Sequence, residues 1–98
     1  MNRSQKTKCR QIAARYGIPN QEKQAVSELA ELLMVLTRRP SQRKQDWRES
    51  LIDEISDVKI MLQQLMTMYG IDPETISEQI DFKLNRQLDR IQKGSDHE

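Results

Sequence analysis

Only three glycines and three prolines interrupt the 98 residues of this chain, and this scarcity constrains its fold more than any other feature. Glycine and proline are the residues that most strongly break regular secondary structure. Between them, apolar side chains recur every three or four residues, which is the spacing of an amphipathic helix, and no stretch alternates as a β-strand does. The sequence therefore predicts an all-α fold.

Capping and stop signals divide the chain into four predicted helices. Their expected ranges are 4–16, 20–38, 46–69 and 72–92. Asn20 is a plausible cap for the second helix, Asp46 and Glu49 have capping-box spacing at the third, and Asp72 followed by Pro73 is a strong start for the fourth. We expect a single domain over 1–98, with a basic N-terminal segment at 1–15 and a disordered tail at 93–98.

The apolar content predicts that the chain assembles with copies of itself. Apolar residues make up 36% of the sequence, whereas about 45–50% is usual for a globular domain. A short chain also buries a small fraction of its surface. A four-helix bundle completed by oligomerisation, as a homodimer or homotetramer, is the simplest remedy.

Several functional classes are excluded or disfavoured by what the chain lacks. No run of about 18 apolar residues and no secretion signal is present, so we expect a cytoplasmic protein without a membrane partner. The net charge of +1 argues against general nucleic-acid binding. Cys9 stands alone, and the only histidine is His97, near the C-terminal end. Disulfides, multi-cysteine zinc sites and histidine-dependent hydrolysis are therefore not expected.

Two pairs of acids occupy matching positions on the second and third helices. Glu28 and Glu31 flank a leucine-rich stripe on one helix, and Glu54 and Asp57 flank the stripe of the next at the same angular offset. Four carboxylates on a partly apolar flank repel one another, and a hard divalent cation removes that repulsion. The alternative is that these acids pair with surface lysines and arginines, as most acids on helix flanks do.

The residues around these acids resemble those of a known family. The segments QEKQAVSELAELL (21–33) and LIDEISDVKIML (51–62) are similar to the ExxE and ExxD motifs of the MazG-like, all-α nucleoside triphosphate pyrophosphohydrolases. The segment KLNRQLDRI (83–91) is similar to the basic element that follows in many members. Many members carry a doubled acid in both motifs. This chain has Ser27 at the first of those positions and keeps Asp53 at the second.

The resemblance implies an enzyme that converts a nucleoside triphosphate to the monophosphate and pyrophosphate. Mg²⁺, or alternatively Mn²⁺, would be held by four metal ligands, which are Glu28, Glu31, Glu54 and Asp57. Glu31 would also orient the attacking water as the catalytic residue. The expected substrate-binding residues are Lys83, Arg86, Arg90 and Gln21.

The basic side chains of the fourth helix support this interpretation independently. Lys83 and Arg86 can grip a triphosphate, one as a point charge and the other as a bidentate fork. They can equally be cations that favour the C-terminal end of the helix dipole, or partners of Asp81 and Asp89. Trp47 is expected to anchor the loop to the third helix by packing.

Two further functional classes stay open. A helical interaction or regulatory protein could keep the same fold without the chemistry. A small nucleic-acid-binding protein could use the basic first helix, although an acidic groove would repel the same ligand.

Overall fold

The computed structural model describes residues 1–94 and is all-α, which confirms the predicted fold class. Its elements are α1 (Arg3–Tyr16), α2 (Ile18–Thr37), a single 3-10 turn (Pro40–Gln42), α3 (Trp47–Met68) and α4 (Pro73–Gln92). Apart from Lys93 and Gly94, the predicted disordered tail at 93–98 lies outside the described residues, as does His97.

The junction between α1 and α2 corrects the predicted start of the second helix. α2 begins at Ile18 and not at Asn20, because Gly17 turns the chain with a φ of 82° and leaves no linker. Pro19 fits the first turn of a helix, where its missing N–H is not needed. Asn20 instead donates its side-chain amide to the Tyr16 carbonyl at 2.9 Å, across the junction.

The starts of α3 and α4 differ in how well the sequence predicted them. Asp46 occupies the N-cap position of α3 but makes no side-chain capping bond, so the predicted capping box with Glu49 is not formed. Asp72 does cap α4, since its carboxylate accepts from the backbone N–H of Glu74 at 3.0 Å. The predicted start and end of the fourth helix are both confirmed.

α2 and α3 form an antiparallel pair, and α1 packs against both. At one end, the indole Nε1 of Trp47 donates to the backbone carbonyl of Val35 at 2.9 Å. The Arg43 guanidinium lies 3.9 Å from the centroid of that indole ring, so Trp47 also holds the intervening loop. At the other end, the Tyr69 hydroxyl donates to the Glu22 carboxylate. These contacts fix the register of α2 against α3.

The faces that pack together within one chain include only part of the leucine-rich stripes, whose members Ala25 and Val58 are buried. The buried side chains of α2 and α3 lie on the flank that carries the acids: Gln21, Ala25, Val58, Met61 and Gln64. Leu32, Leu51 and Leu65 of the stripes are half-buried. The other stripe members on these faces are exposed by 42–61%: Leu29, Leu33, Leu36, Ile55 and Leu62. Each helix therefore has two apolar faces, and a helix that is apolar on both sides is normally covered on both.

α4 makes at most marginal contact with the other helices and contains no buried residue. Its apolar stripe is open to solvent, with Ile80, Leu84 and Ile91 exposed by 49%, 57% and 58%. The radius of gyration is 16.8 Å, against about 13 Å for a compact domain of this length. No helix within residues 1–94 has both the length and the apolar character needed to cross a lipid bilayer.

The surface of the single chain is larger than a folded monomer of this size should expose. Its accessible area is 8044 Å², whereas a monomer of this mass exposes about 5,800 Å². The excess, about 2,200 Å², exceeds the roughly 800 Å² that each partner buries in an ordinary interface. The exposed stripes of α2, α3 and α4 are the natural place for that burial.

We therefore expect at least a dimer in solution, with α4 in the interface. Light scattering should give a mass of two or more chains at micromolar concentration. Leu84→Glu should lower that mass, because it places a charge within the apolar stripe of α4. Asn85→Glu adds the same charge at the neighbouring exposed position and should leave the mass unchanged. A stable, folded monomer of the natural sequence would contradict this prediction.

Candidate metal centre

The four predicted acids meet between α2 and α3. One oxygen of each carboxylate lies within 4.8 Å of an oxygen of every other, and we call Glu28, Glu31, Glu54 and Asp57 the carboxylate cluster. The i, i+3 spacing places the two acids of each helix on the same side. Because the helices are antiparallel, Glu28 lies opposite Asp57 and Glu31 lies opposite Glu54.

Three members of the carboxylate cluster are half-buried, and Glu31 is the exposed one. Oε2 of Glu28 and Oε2 of Glu54 are shielded from solvent and have no hydrogen-bond partner. The other oxygen of Glu28 accepts from the Gln24 amide at 2.7 Å. A buried oxygen without a partner is costly, since it has lost its water and gained nothing in return. Two such oxygens at one point are suited to a ligand that supplies positive charge.

The electrostatics of the carboxylate cluster are unfavourable while all four acids are ionised. Burial raises the pKa of Glu54 above its ordinary value of 4.5, and the other three carboxylates raise it further. Burial likewise raises the pKa of Asp57 above its ordinary value of 3.8, followed by the negative charges of Glu28 and Asp53. Protons and metal ions therefore compete for the same oxygens.

No basic side chain offsets this repulsion from within the three packed helices. Among residues 1–72, no lysine or arginine forms an ion pair with any member of the carboxylate cluster. Within residues 1–72, surface pairing, the alternative considered from the sequence, is thus not what holds these acids. Their arrangement matches the donor set that hard divalent cations prefer, which is carboxylate oxygen.

The raised pKa values predict how the stability of the metal-free protein depends on pH. Glu54 and Asp57 bind protons more tightly when folded than when unfolded. The free energy of unfolding therefore falls as pH rises from their ordinary pKa values to the raised ones, and is constant above them. In chelator, the melting temperature of Glu54→Gln minus that of the natural protein should increase from about pH 4 to about pH 7.

The matched control for this titration is Glu49→Gln, which removes a carboxylate from the first turn of the same helix, outside the carboxylate cluster. The melting temperature of Glu49→Gln minus that of the natural protein should not increase between about pH 4 and about pH 7. Parallel pH profiles for Glu54→Gln and the natural protein would show that the cluster is not electrostatically strained.

A groove of about 480 Å³ adjoins the carboxylate cluster and shares Glu28 and Asp57 with it. α1 supplies one wall through Ile12 and Tyr16. Gln21, predicted from the sequence as a substrate-binding residue, lines this groove and is 95% buried, with only 5% of its surface exposed. The structure therefore places one predicted binding residue directly beside the predicted metal ligands.

The predicted phosphate-binding residues lie elsewhere. Lys83, Arg86 and Arg90 are exposed residues of α4, which does not pack against the helices that carry the acids. The Arg86 guanidinium lies 5.5 Å from the centroid of the Phe82 ring. A single chain thus does not bring these cations to the carboxylate cluster through helix packing.

Gln64 is a groove residue that the sequence reasoning missed. It is 2% exposed, and its Oε1 has no hydrogen-bond partner. A usable signal was present, because Asp57, Met61 and Gln64 follow one another at i, i+4 and i+7 on the acidic flank. The leucine-rich stripe drew attention to the opposite face of the same helix.

Comparison of the chain with protein-family models, with curated proteins and with solved structures found no match. Support for a function therefore comes from the residues and their geometry.

Proposed function

We propose that the chain is a metal-dependent nucleotide pyrophosphohydrolase, which hydrolyses a nucleoside triphosphate to the monophosphate and pyrophosphate. One observation carries the proposal: four carboxylates from two helices converge on one point, and two of their oxygens are buried without a partner. The resemblance of both acidic motifs to those of MazG-like enzymes supports the same class.

Glu28, Glu54 and Asp57 are the half-buried members of the cluster, and with Glu31 they would hold Mg²⁺ or Mn²⁺. Such an ion supplies positive charge that neutralises phosphate oxygens and makes water more acidic. The donor set fits, since it contains only oxygen ligands and no histidine or cysteine.

Glu31 is the member best placed to handle the attacking water, because it alone is exposed. Its carboxylate would accept a proton as the water oxygen bonds to the α-phosphorus. The bond from that phosphorus to the bridging oxygen then breaks, and pyrophosphate departs.

The phosphate grip is proposed to come from α4 of another copy of the chain. Within one chain, α4 is unpacked and its apolar stripe is exposed. Burying that stripe against a second copy would carry Lys83, Arg86 and Arg90 onto the partner's surface. A groove bounded by helices of two chains would then combine the acids of one with the cations of the other.

The direct test is a screen for pyrophosphate release from the common and modified nucleoside triphosphates, with Mg²⁺ and again in chelator. Release that requires the ion and yields the monophosphate is the expected result. Release of inorganic phosphate instead would indicate a different bond cleavage. No release from any triphosphate in the presence of the ion would overturn the proposal.

The exposed stripe of α4 also favours a second candidate, a helical interaction protein that has the fold without the chemistry. An unpartnered amphipathic helix is a common means of binding a groove on another protein. The two candidates differ in the metal response. The interaction protein should show neither stabilisation by Mg²⁺ nor turnover.

A further inference from the structure

Two residues that line the groove beside the carboxylate cluster have buried side-chain amide oxygens without a hydrogen-bond partner. They are Gln21 and Gln64, which are 5% and 2% exposed. More than about 90% of buried polar groups in folded proteins are paired, so two unpaired ones along one groove call for an explanation. Each lowers stability unless a bound molecule donates an N–H or O–H to it.

The volume and the remaining walls of the groove suit a small, partly apolar ligand. Its volume of about 480 Å³ falls within the range of about 300–1,000 Å³ that is usual for small-molecule sites. Ile12, Ile60 and Met61 supply apolar surface, and Tyr16 supplies an aromatic ring. A heteroaromatic ring matches this combination of apolar walls and a few convergent polar atoms.

The negative charge of the groove limits which polar groups a bound ligand can present to it. Glu28 and Asp57 lie in its lining, and no lysine or arginine is among its lining residues. A ligand edge that carries N–H donors is therefore favoured over one that carries carbonyl oxygens. The amide oxygens of Gln21 and Gln64 can each accept such a bond.

We propose that this groove binds the base of the nucleotide and selects bases that can present two N–H donors to the amide oxygens of Gln21 and Gln64. Cytosine and adenine do so through their amino group, and guanine through its ring N–H and amino group. Uracil and thymine offer one N–H between two carbonyl oxygens and are disfavoured. This proposal rests on the proposed function, and it assigns Gln64 as a specificity-determining residue.

The test compares the binding of cytidine and uridine monophosphates by calorimetry, using the full chain with Mg²⁺. The natural protein should bind the cytidine nucleotide about three- to tenfold more tightly, the worth of one net hydrogen bond. Gln64→Met keeps the length of the side chain but removes the amide, so it should abolish the preference. Gln63→Met makes the same change at the adjacent residue, which does not line the groove, and should retain the preference.

The stability of the variants separates a specificity role from a structural one. Gln64→Met removes an unpartnered buried amide, so its melting temperature without nucleotide should equal or exceed that of the natural protein. Gln21→Met provides a second, independent variant with the same expected loss of preference. Equal binding of the two nucleotides by the natural protein, or a preference that survives in both variants, would overturn the assignment.

Failure of this proposal can be told apart from failure of the proposed function. If the protein prefers the cytidine nucleotide but releases pyrophosphate from no triphosphate, the base-binding proposal is supported and the proposed enzymatic function is rejected. Pyrophosphate release with equal kcat/KM for the cytidine and uridine triphosphates would support the enzyme and reject the selective groove. Neither binding nor release would reject both.

Discussion

Glu31→Gln is expected to lower kcat for pyrophosphate release by about 10²- to 10⁴-fold, the usual contribution of a positioned general base. The amide keeps the shape of the side chain but cannot accept the proton of the attacking water. KM should change little, because Glu31 is assigned to the attacking water and not to binding the nucleobase or the phosphates of the substrate. Steady-state kinetics would measure kcat and KM, and a direct metal titration would measure metal affinity beside them.

Arg86→Lys should show the opposite pattern. Lysine keeps the charge but loses the planar fork, so KM should rise by about ten- to a hundredfold while metal affinity is unchanged. Glu49→Gln, which lies outside the carboxylate cluster, should behave like the natural enzyme in both assays. If Glu31→Gln keeps the kcat of the natural enzyme, Glu31 is not the general base. If Arg86→Lys behaves like the natural enzyme, Arg86 is not a phosphate fork.

Mg²⁺ or Mn²⁺ at millimolar concentration is expected to raise the melting temperature substantially. Binding to the folded state alone stabilises by about 2.7 kcal/mol when the ion is at about one hundred times its Kd. For a domain of this size, each kcal/mol corresponds to a shift of about 4–8 °C. The pKa values of Glu54 and Asp57 are raised by burial first and by repulsion second, and the ion also relieves that repulsion.

Glu54→Gln should lose most of this response and keep its helical circular dichroism. It should also be at least as stable as the natural protein in chelator, since it removes one of four repelling charges. Glu49→Gln should keep the full metal response, because its carboxylate is not part of the carboxylate cluster. An unchanged melting temperature of the natural protein at millimolar Mg²⁺ and Mn²⁺ would reject the metal centre.

The features that the sequence predicted well are those determined within one helix or one turn. Gly17 and Gly70 follow α1 and α3 with a positive φ, and the Asp72 side chain caps the start of α4. The convergence of the four acids followed from an i, i+3 spacing repeated on two consecutive helices. An antiparallel pair brings such positions together whenever the connecting loop is short.

What escaped the sequence depended on which of two apolar faces turns inward. α2 and α3 each bury the edge of the leucine-rich stripe that lies next to the acids, where Ala25, Val58 and Met61 are, and leave the other edge of the stripe exposed. Periodicity reveals which positions are apolar but not which of them pack inside one chain, because that depends on what covers the remaining apolar positions. For the same reason the burial of Gln64 was not predicted, and the isolation of α4 within one chain could not be foreseen.

Because Trp47 is hydrogen-bonded to Val35, the register of α2 against α3 does not depend on the length of the loop that joins them. The hydrogen bond links the first residue of α3 directly to the last turns of α2, so residues 38–46 need not hold the two helices in place. The entropic cost of lengthening a surface loop grows slowly with its length. Evolution or engineering can therefore graft a lid or a recognition segment between Arg38 and Asp46 while the acids stay in alignment.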